Sequence, residues 1–211
     1  MKKICVVLFF IAASLASYSQ SIWTVGISGG LDSYKNKYYS RNDAVKFEDG
    51  NLDFHAGLDF GIRITKTVRF RINCNYGEYS FGQKPYGHTV YAKSEKTLSH
   101  LDVIPRVDVR LVSYRKFDLL ISPGYDLEYI LESKNSTTLP NGDKSKRVYV
   151  DPNYNSKYSG PTLGAIARYK IDKHFAITLS PDYTYFLDKL YNKNDNNLQR
   201  FRVGLGFEWN I

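Results

Sequence analysis

The residues most able to do chemistry in this chain are Ser99, His100 and Asp102, in the run Ser99-His100-Leu101-Asp102. A serine nucleophile needs a base within hydrogen-bond reach, and the base needs an acid to orient it. One of each is present here. On a β-strand, however, alternate side chains point to opposite faces, so Ser99 faces away from His100 and Asp102, and a direct contact needs a bulge. His55 is a second candidate base. The competing role for both histidines is membership of a satisfied polar network. His88 and His174 fall in polar connections with no evident partner, and the four histidines lack metal-ligand spacing. Neither a metal nor a cofactor is expected.

A larger set of chemistry-bearing residues recurs on one face of successive segments. It comprises Asp53, Asp59, Arg63, Arg69, Arg71, Asp102, Arg106, Asp108, Arg110, Asp118, Asp126, Glu128, Arg168, Asp182, Arg202 and Glu208. The two signs are nearly balanced, and Gly57, Gly61, Gly124, Gly164, Gly204 and Gly206 are interleaved with them. Buried opposite charges must be paired, and glycines leave room for long arginines, so this face reads as a packed polar interior.

The elements that position these residues follow a period of two. The apolar partners run Phe54 to Ile64, Val68 to Tyr76, Leu101 to Leu111, Phe117 to Leu131, Leu163 to Tyr169, Phe175 to Tyr185 and Phe201 to Ile211. With Trp23, Val25 and Ile27 these make eight strands. Short links near Lys66, at 113–116 and at 172–174 alternate with long polar links at 32–52, 82–97, 132–156 and 188–199. Tight turns on one side and long loops on the other are the stringing of an antiparallel up-and-down transmembrane β-barrel. A soluble calycin-like barrel and a β-sandwich are the alternatives. The apolar face carries aromatics near its ends, with Trp23 and Trp209 on the turn side and Tyr129, Tyr183 and Tyr185 toward the loops, as interfacial girdles require. Pro105, Pro123 and Pro181 lie inside strands and are expected at bulges or bends.

The chain has 211 residues, 29 Lys+Arg against 21 Asp+Glu, and 15% aromatic residues. That length suits one domain. Beyond residue 20 no apolar run is long enough for a membrane helix, nor for the central strands of a parallel α/β core. Residues 1–20 read as a signal peptide: Lys2 and Lys3, then an apolar run, then small residues. Cleavage after Ala16 or Ser19 is possible, with Ser19 preferred, which leaves a barrel domain over 20–211. The mature charge falls to about +6 from +8, and Cys74 becomes the one cysteine, unable to form an internal disulfide and in phase with apolar neighbours. Lys144, Lys146 and Arg147, with Tyr149 and Tyr154 nearby, form a basic loop expected to meet phosphorylated lipid. Nucleic-acid binding has no supporting motif.

His100-Leu-Asp-Val-Ile-Pro105, Phe117-Asp-Leu-Leu-Ile-Ser-Pro-Gly-Tyr125 and the closing strand with Gly204, Gly206, Phe207 and Trp209 resemble the PorT-like outer-membrane barrel family of the Bacteroidota. Ser122-Pro123-Gly124 departs from the family's glycine–proline order, and Ile104 is an extra residue before Pro105. The resemblance implies an integral outer-membrane protein with an eight-stranded barrel. It also implies contact with outer-membrane lipid and lipopolysaccharide, and insertion by the barrel machinery through the aromatic end Phe207-Glu-Trp-Asn-Ile211. One branch belongs to the type IX secretion apparatus. Eight strands leave no aqueous channel, so a general porin is disfavoured. The expected role is structural or interactive, in partnership with an envelope complex and without catalysis. A rim-active lipid-modifying enzyme using His100 with Ser99 or His55 is the alternative from another class.

Overall fold

A computed structural model describes residues 23–35, 45–47, 52–85, 93–138, 141, 143–149, 156–189 and 197–211. The signal segment, His88 and Tyr154 lie outside them. Ten strands form: β1 Trp23–Lys35, β2 Val45–Phe47, β3 Leu52–Arg63, β4 Val68–Pro85, β5 Lys93–Tyr114, β6 Phe117–Thr138, β7 Lys144–Tyr149, β8 Lys157–Lys170, β9 Phe175–Lys189 and β10 Asn197–Asn210. Eight of them pair antiparallel around a closed ring, β1-β3-β4-β5-β6-β8-β9-β10, which β1 and β10 seal through Thr24↔Asn210 to Lys35↔Gln199. Closure pairs the backbone N–H and C=O groups, which a bilayer cannot solvate.

The apolar face points outward. Trp23, Ile27, Leu31, Phe60, Leu163, Leu205 and Trp209 are exposed, whereas the alternate residues Thr24, Asp32, Asp59, Arg202 and Glu208 are buried. That settles inside from outside, which alternation alone leaves open. Trp209 sits opposite Val25, and Phe175 stacks on Phe207 and Trp209 at the turn end. Tyr129, Tyr183 and Tyr185 face outward nearer the loops. Cys74 lies on the same outer surface, between Leu58 and Val103.

Three expectations are corrected. The strands are longer than the alternation suggests: β5 and β6 each have 22 residues, so Asp32, Tyr34 and Glu132, read as loop, belong to strands. Their outward neighbours, such as Ser33 and Lys35, are polar there, so the alternation loses its contrast although the backbone pairing continues. Two further strands continue neighbouring columns, β2 along β4 and β7 along β6. The wall β2-β4-β5-β6-β7 therefore rises on one side of the barrel, and Lys144, Lys146 and Arg147 stand on a strand in it. Lastly, the register shifts fall at Ser99/His100, Arg110/Val112 and Asn197/Gln199, not at the prolines. Each proline instead pairs on one side only: Pro105 with Ile72, Pro123 with Leu163, Pro181 with Val203. The neighbouring ladder skips that position, so the missing N–H is tolerated without a bulge.

The turn end is held by local side-chain bonds. Thr65 Oγ1 accepts from the N–H of Thr67 and Val68. Asp172 Oδ1 accepts from His174 N–H at 2.7 Å and Phe175 N–H at 2.8 Å, which holds its carboxyl below the ordinary aspartate value. Between β5 and β6, Arg115 has a φ of 51°, a left-handed conformation that Asn adopts more readily than Arg. Replacing Arg115 with Asn should raise stability by about 0.5 kcal/mol, read as a higher urea midpoint in detergent. A lowered midpoint would mean that the cation–π contact with Tyr114 outweighs the strain.

Candidate functional site

Ionised side chains line the lumen, in two groups joined by an Arg106–Asp182 pair at 3.0 Å. Toward the turn end, Arg69 bonds Asp108 and Glu208, Arg71 reaches Asp108 at 3.1 Å, and Arg168 Nε lies 2.8 Å from Glu208. Ser122 donates to Asp108, Arg168 to Asn210, and Asn73 to Asp59. Asp118 accepts from Lys170 at 2.8 Å, with Arg110 3.8 Å away at the mouth. Arg63 is half-buried there.

Toward the loops, Arg200 is fully buried and reaches Asp102 at 3.0 Å, Glu128 at 2.9 Å and Asp126. Arg202 grips Asp32 with two nitrogens, at 2.8 and 2.9 Å, and Asp102 at 2.7 Å. His55 Nδ1 lies 2.9 Å from Asp32. His100 Nε2 lies 3.1 Å from the Tyr34 hydroxyl, which donates to Glu128 at 3.3 Å. Asn75 donates to Asp102 and Thr184 to Asp126. Gly77 makes room for His100, since a Cβ there would stand 2.7 Å from its Cε1; Gly124 does the same for Arg106, at 2.7 Å from Cγ.

Above this group the lumen face changes character. One step further along each strand it turns apolar: Asp32 gives way to Tyr34, Gly77 to Tyr79, His100 to Leu98, Gly160 to Tyr158, Thr184 to Phe186 and Arg200 to Leu198. These six are at most 3% exposed and form one cluster. Tyr34 stacks on Tyr79 at 4.2 Å, and Arg200 lies against the Tyr34 and Phe186 rings. Outward residues at this level include Lys35, Glu78 and Lys157, so the barrel here has the inside-apolar, outside-polar arrangement of a protein in water. The bilayer ends where the two patterns exchange.

All twelve residues expected in the lumen network, Asp59, Arg63, Arg69, Arg71, Asp102, Arg106, Asp108, Arg110, Asp126, Arg168, Arg202 and Glu208, line the interior or its turn-end mouth. Arg200, Asp32 and Tyr34 were missed because they fall at the edges of apparent loops. Their signal was a continued alternation with Arg202 and Gly30. The rim triad does not assemble: Ser99 Oγ donates to Glu78 at 2.9 Å on the outer face, although a register shift lies beside it. His100 and His55 are buried beneath the apolar cluster, without access to the rim.

The model for the outer membrane protein beta-barrel domain matches residues 4–208. The chain belongs to this family. The barrel is therefore an integral outer-membrane protein. Its fold is similar to OprG of Pseudomonas aeruginosa, at 10% identity and a TM-score of 0.56 over 90% of this chain and 96% of that one. It is also similar to the outer membrane protease OmpT of Escherichia coli, at 10% identity and a TM-score of 0.51 over 92% and 98%. Both likenesses concern the fold alone. No curated protein sequence matches the chain.

Removing Arg200 leaves the buried Asp126 and Glu128 without their cation, so Arg200→Met should destabilise the barrel by about 3–5 kcal/mol. Arg110→Met, at the open mouth, should cost under about 1 kcal/mol. Urea unfolding in detergent compares the two, and equal effects would show that the loop-end group is not tightly desolvated. Phe186→Ala empties part of the apolar cluster and should cost about 3 kcal/mol, read by the same unfolding series.

Proposed function

We propose that this barrel is a non-conducting structural and docking element of the cell envelope. The observation that carries this reading is the lumen, filled by buried ion pairs and closed at the loop end by the apolar cluster. A pore needs a continuous wet path, and an eight-stranded interior has room only for its own side chains. The raised wall β2-β4-β5-β6-β7 offers partners an ordered surface above the membrane, on one side only.

Lipid contact follows from the outer surface. Lys157 lies over the Tyr129 ring, 5.6 Å from its centroid, at the upper edge of the aromatic belt, and Lys35 is exposed at the same level. Ammonium groups at that height meet the phosphates of lipopolysaccharide. The terminal Phe207-Glu-Trp-Asn-Ile211 suits recognition by the barrel-insertion machinery. Export through a cleaved signal peptide and placement in the PorT-like branch of the Bacteroidota complete the reading. In the secretion-apparatus variant of it, the wall contacts other components of a type IX complex. A lipid-modifying enzyme is disfavoured by the separation of Ser99 from both histidines.

Purified barrel in planar bilayers should give no conductance steps in concentrated KCl, and steady openings would overturn the closed-lumen reading. A native gel of mildly solubilised outer membranes tests docking. Migration within a large complex is expected, whereas migration near the protein's own mass would favour an autonomous role at the lipid surface.

A further inference from the structure

The two groups of lumen charges are each out of balance, in opposite senses. At the turn end, Arg63, Arg69, Arg71, Arg110, Arg168 and Lys170 face Asp59, Asp108, Asp118 and Glu208. At the loop end, four buried carboxylates, Asp32, Asp102, Asp126 and Glu128, face only Arg200 and Arg202. The four carboxylates thus outnumber the two guanidiniums, in a place that lies beneath the apolar cluster. An uncompensated buried charge is among the most destabilising features a fold can carry.

Three ligand-bearing side chains converge there. His100, Asp102 and Glu128 each offer a nitrogen or oxygen lying within 4.8 Å of the others. Glu128 Oε1, His100 Nδ1 and Asp126 Oδ1 are buried without a hydrogen-bond partner, while Glu128 Oε2 is held by Arg200 and Tyr34. We infer that the loop-end lumen binds one divalent transition-metal ion, of the class of Zn²⁺, through His100, Asp102 and Glu128. One imidazole and two carboxylates suit Zn²⁺ and its neighbours; Ca²⁺ needs six or more oxygens and Mg²⁺ several waters. Zinc ligands at about 2.0–2.2 Å from the ion stand nearer together than the widest gap in this cluster, and small side-chain rotations close the difference. A dication offsets the excess of carboxylates over guanidiniums. Arg200 and Arg202 then hold the outer carboxylate oxygens and fix the ligands' orientation, as partners of metal ligands commonly do.

This inference stands apart from the docking role, because the ion lies beneath the apolar cluster and is taken up as the barrel closes. Metal binding is then coupled to folding, and a folded barrel should protect its ion from a chelator. The test refolds the urea-unfolded barrel into detergent with ZnCl₂, treats it with EDTA, and measures retained metal by mass spectrometry. About one zinc per chain is expected for the wild type, with retention lost on unfolding. Glu128→Gln keeps the shape and the Arg200 contact but removes a ligand charge, and His100→Gln removes the nitrogen. Both should retain less than about a tenth of the wild-type zinc while still migrating as folded barrels in unboiled gel lanes. Refolding with MgCl₂ should leave no retained metal.

Absence of chelator-resistant zinc in the wild type would overturn the proposal and assign the surplus charge to protons. Equal retention in both variants would overturn it too, as surface binding. If the variants do not fold, wild-type barrel refolded with Co²⁺ decides the matter: visible d–d absorption that survives EDTA supports the site, and a colourless protein rejects it.

Discussion

Inside a bilayer every backbone polar group must find its partner within the protein, and the rest of this structure follows from that. Closing eight strands meets the requirement and also fixes the width of the interior, which admits side chains and little else. An interior of that size could have been filled with apolar groups. Here it is filled with arginines and carboxylates bridged by Ser, Thr and Asn, while the apolar residues that a soluble protein would bury are turned to the lipid. Ion pairs in such a place stabilise only when nearly every donor and acceptor is met, which explains the density of contacts around Arg69, Arg200 and Arg202.

The exchange of patterns at the loop end marks a change of solvent rather than a change of fold. From Gly30 and Asp32 to Tyr34 the strand direction and pairing are unaltered, and from Arg202 and Arg200 to Leu198 β10 keeps its direction and its partner through a register shift. What changes is the medium outside. Once the outer surface meets water the hydrophobic effect favours apolar burial again, so the extension acquires a small core of Tyr34, Tyr79, Leu98, Tyr158, Phe186 and Leu198. That core also seals the charged lumen, so one cluster supports the wall and closes the passage. The taller side of the wall, carried by β4, β5 and β6, is the part of the molecule best placed for contact with other envelope components.

The separation of charge along the lumen is a property of the assembled barrel. β5 carries an evenly mixed set, Asp102, Arg106, Asp108 and Arg110, whereas β4 contributes Arg69 and Arg71 and β6 contributes Asp118, Asp126 and Glu128. Only the stagger between strands brings Asp32, Asp126 and Glu128 to the level of Asp102 and leaves the turn end rich in arginine. The near-balance of the polar face as a whole therefore conceals two local imbalances, and the loop-end one is where an exogenous cation has most to offset.

The sequence by itself determined the class of fold, the strand number of the closed ring, the alternation of short and long connections, and the set of side chains sharing the polar face. These follow from period-two patterning, which acts locally. Orientation was legible only through indirect signs, the preference for Arg over Lys and the interleaved glycines, because alternation is the same for a barrel in water and one in lipid. What tertiary structure alone decided was the partnership of residues distant in the chain. Arg200 and Asp126 are 74 positions apart, and Arg202 and Asp32 are 170 apart. Strand register brings them together, and register is set by pairing around the whole ring. Tyr34, Asp32 and Arg200 were hidden for a related reason: they stand where their strands leave the bilayer, so the apolar half of the alternation was no longer required just beyond them.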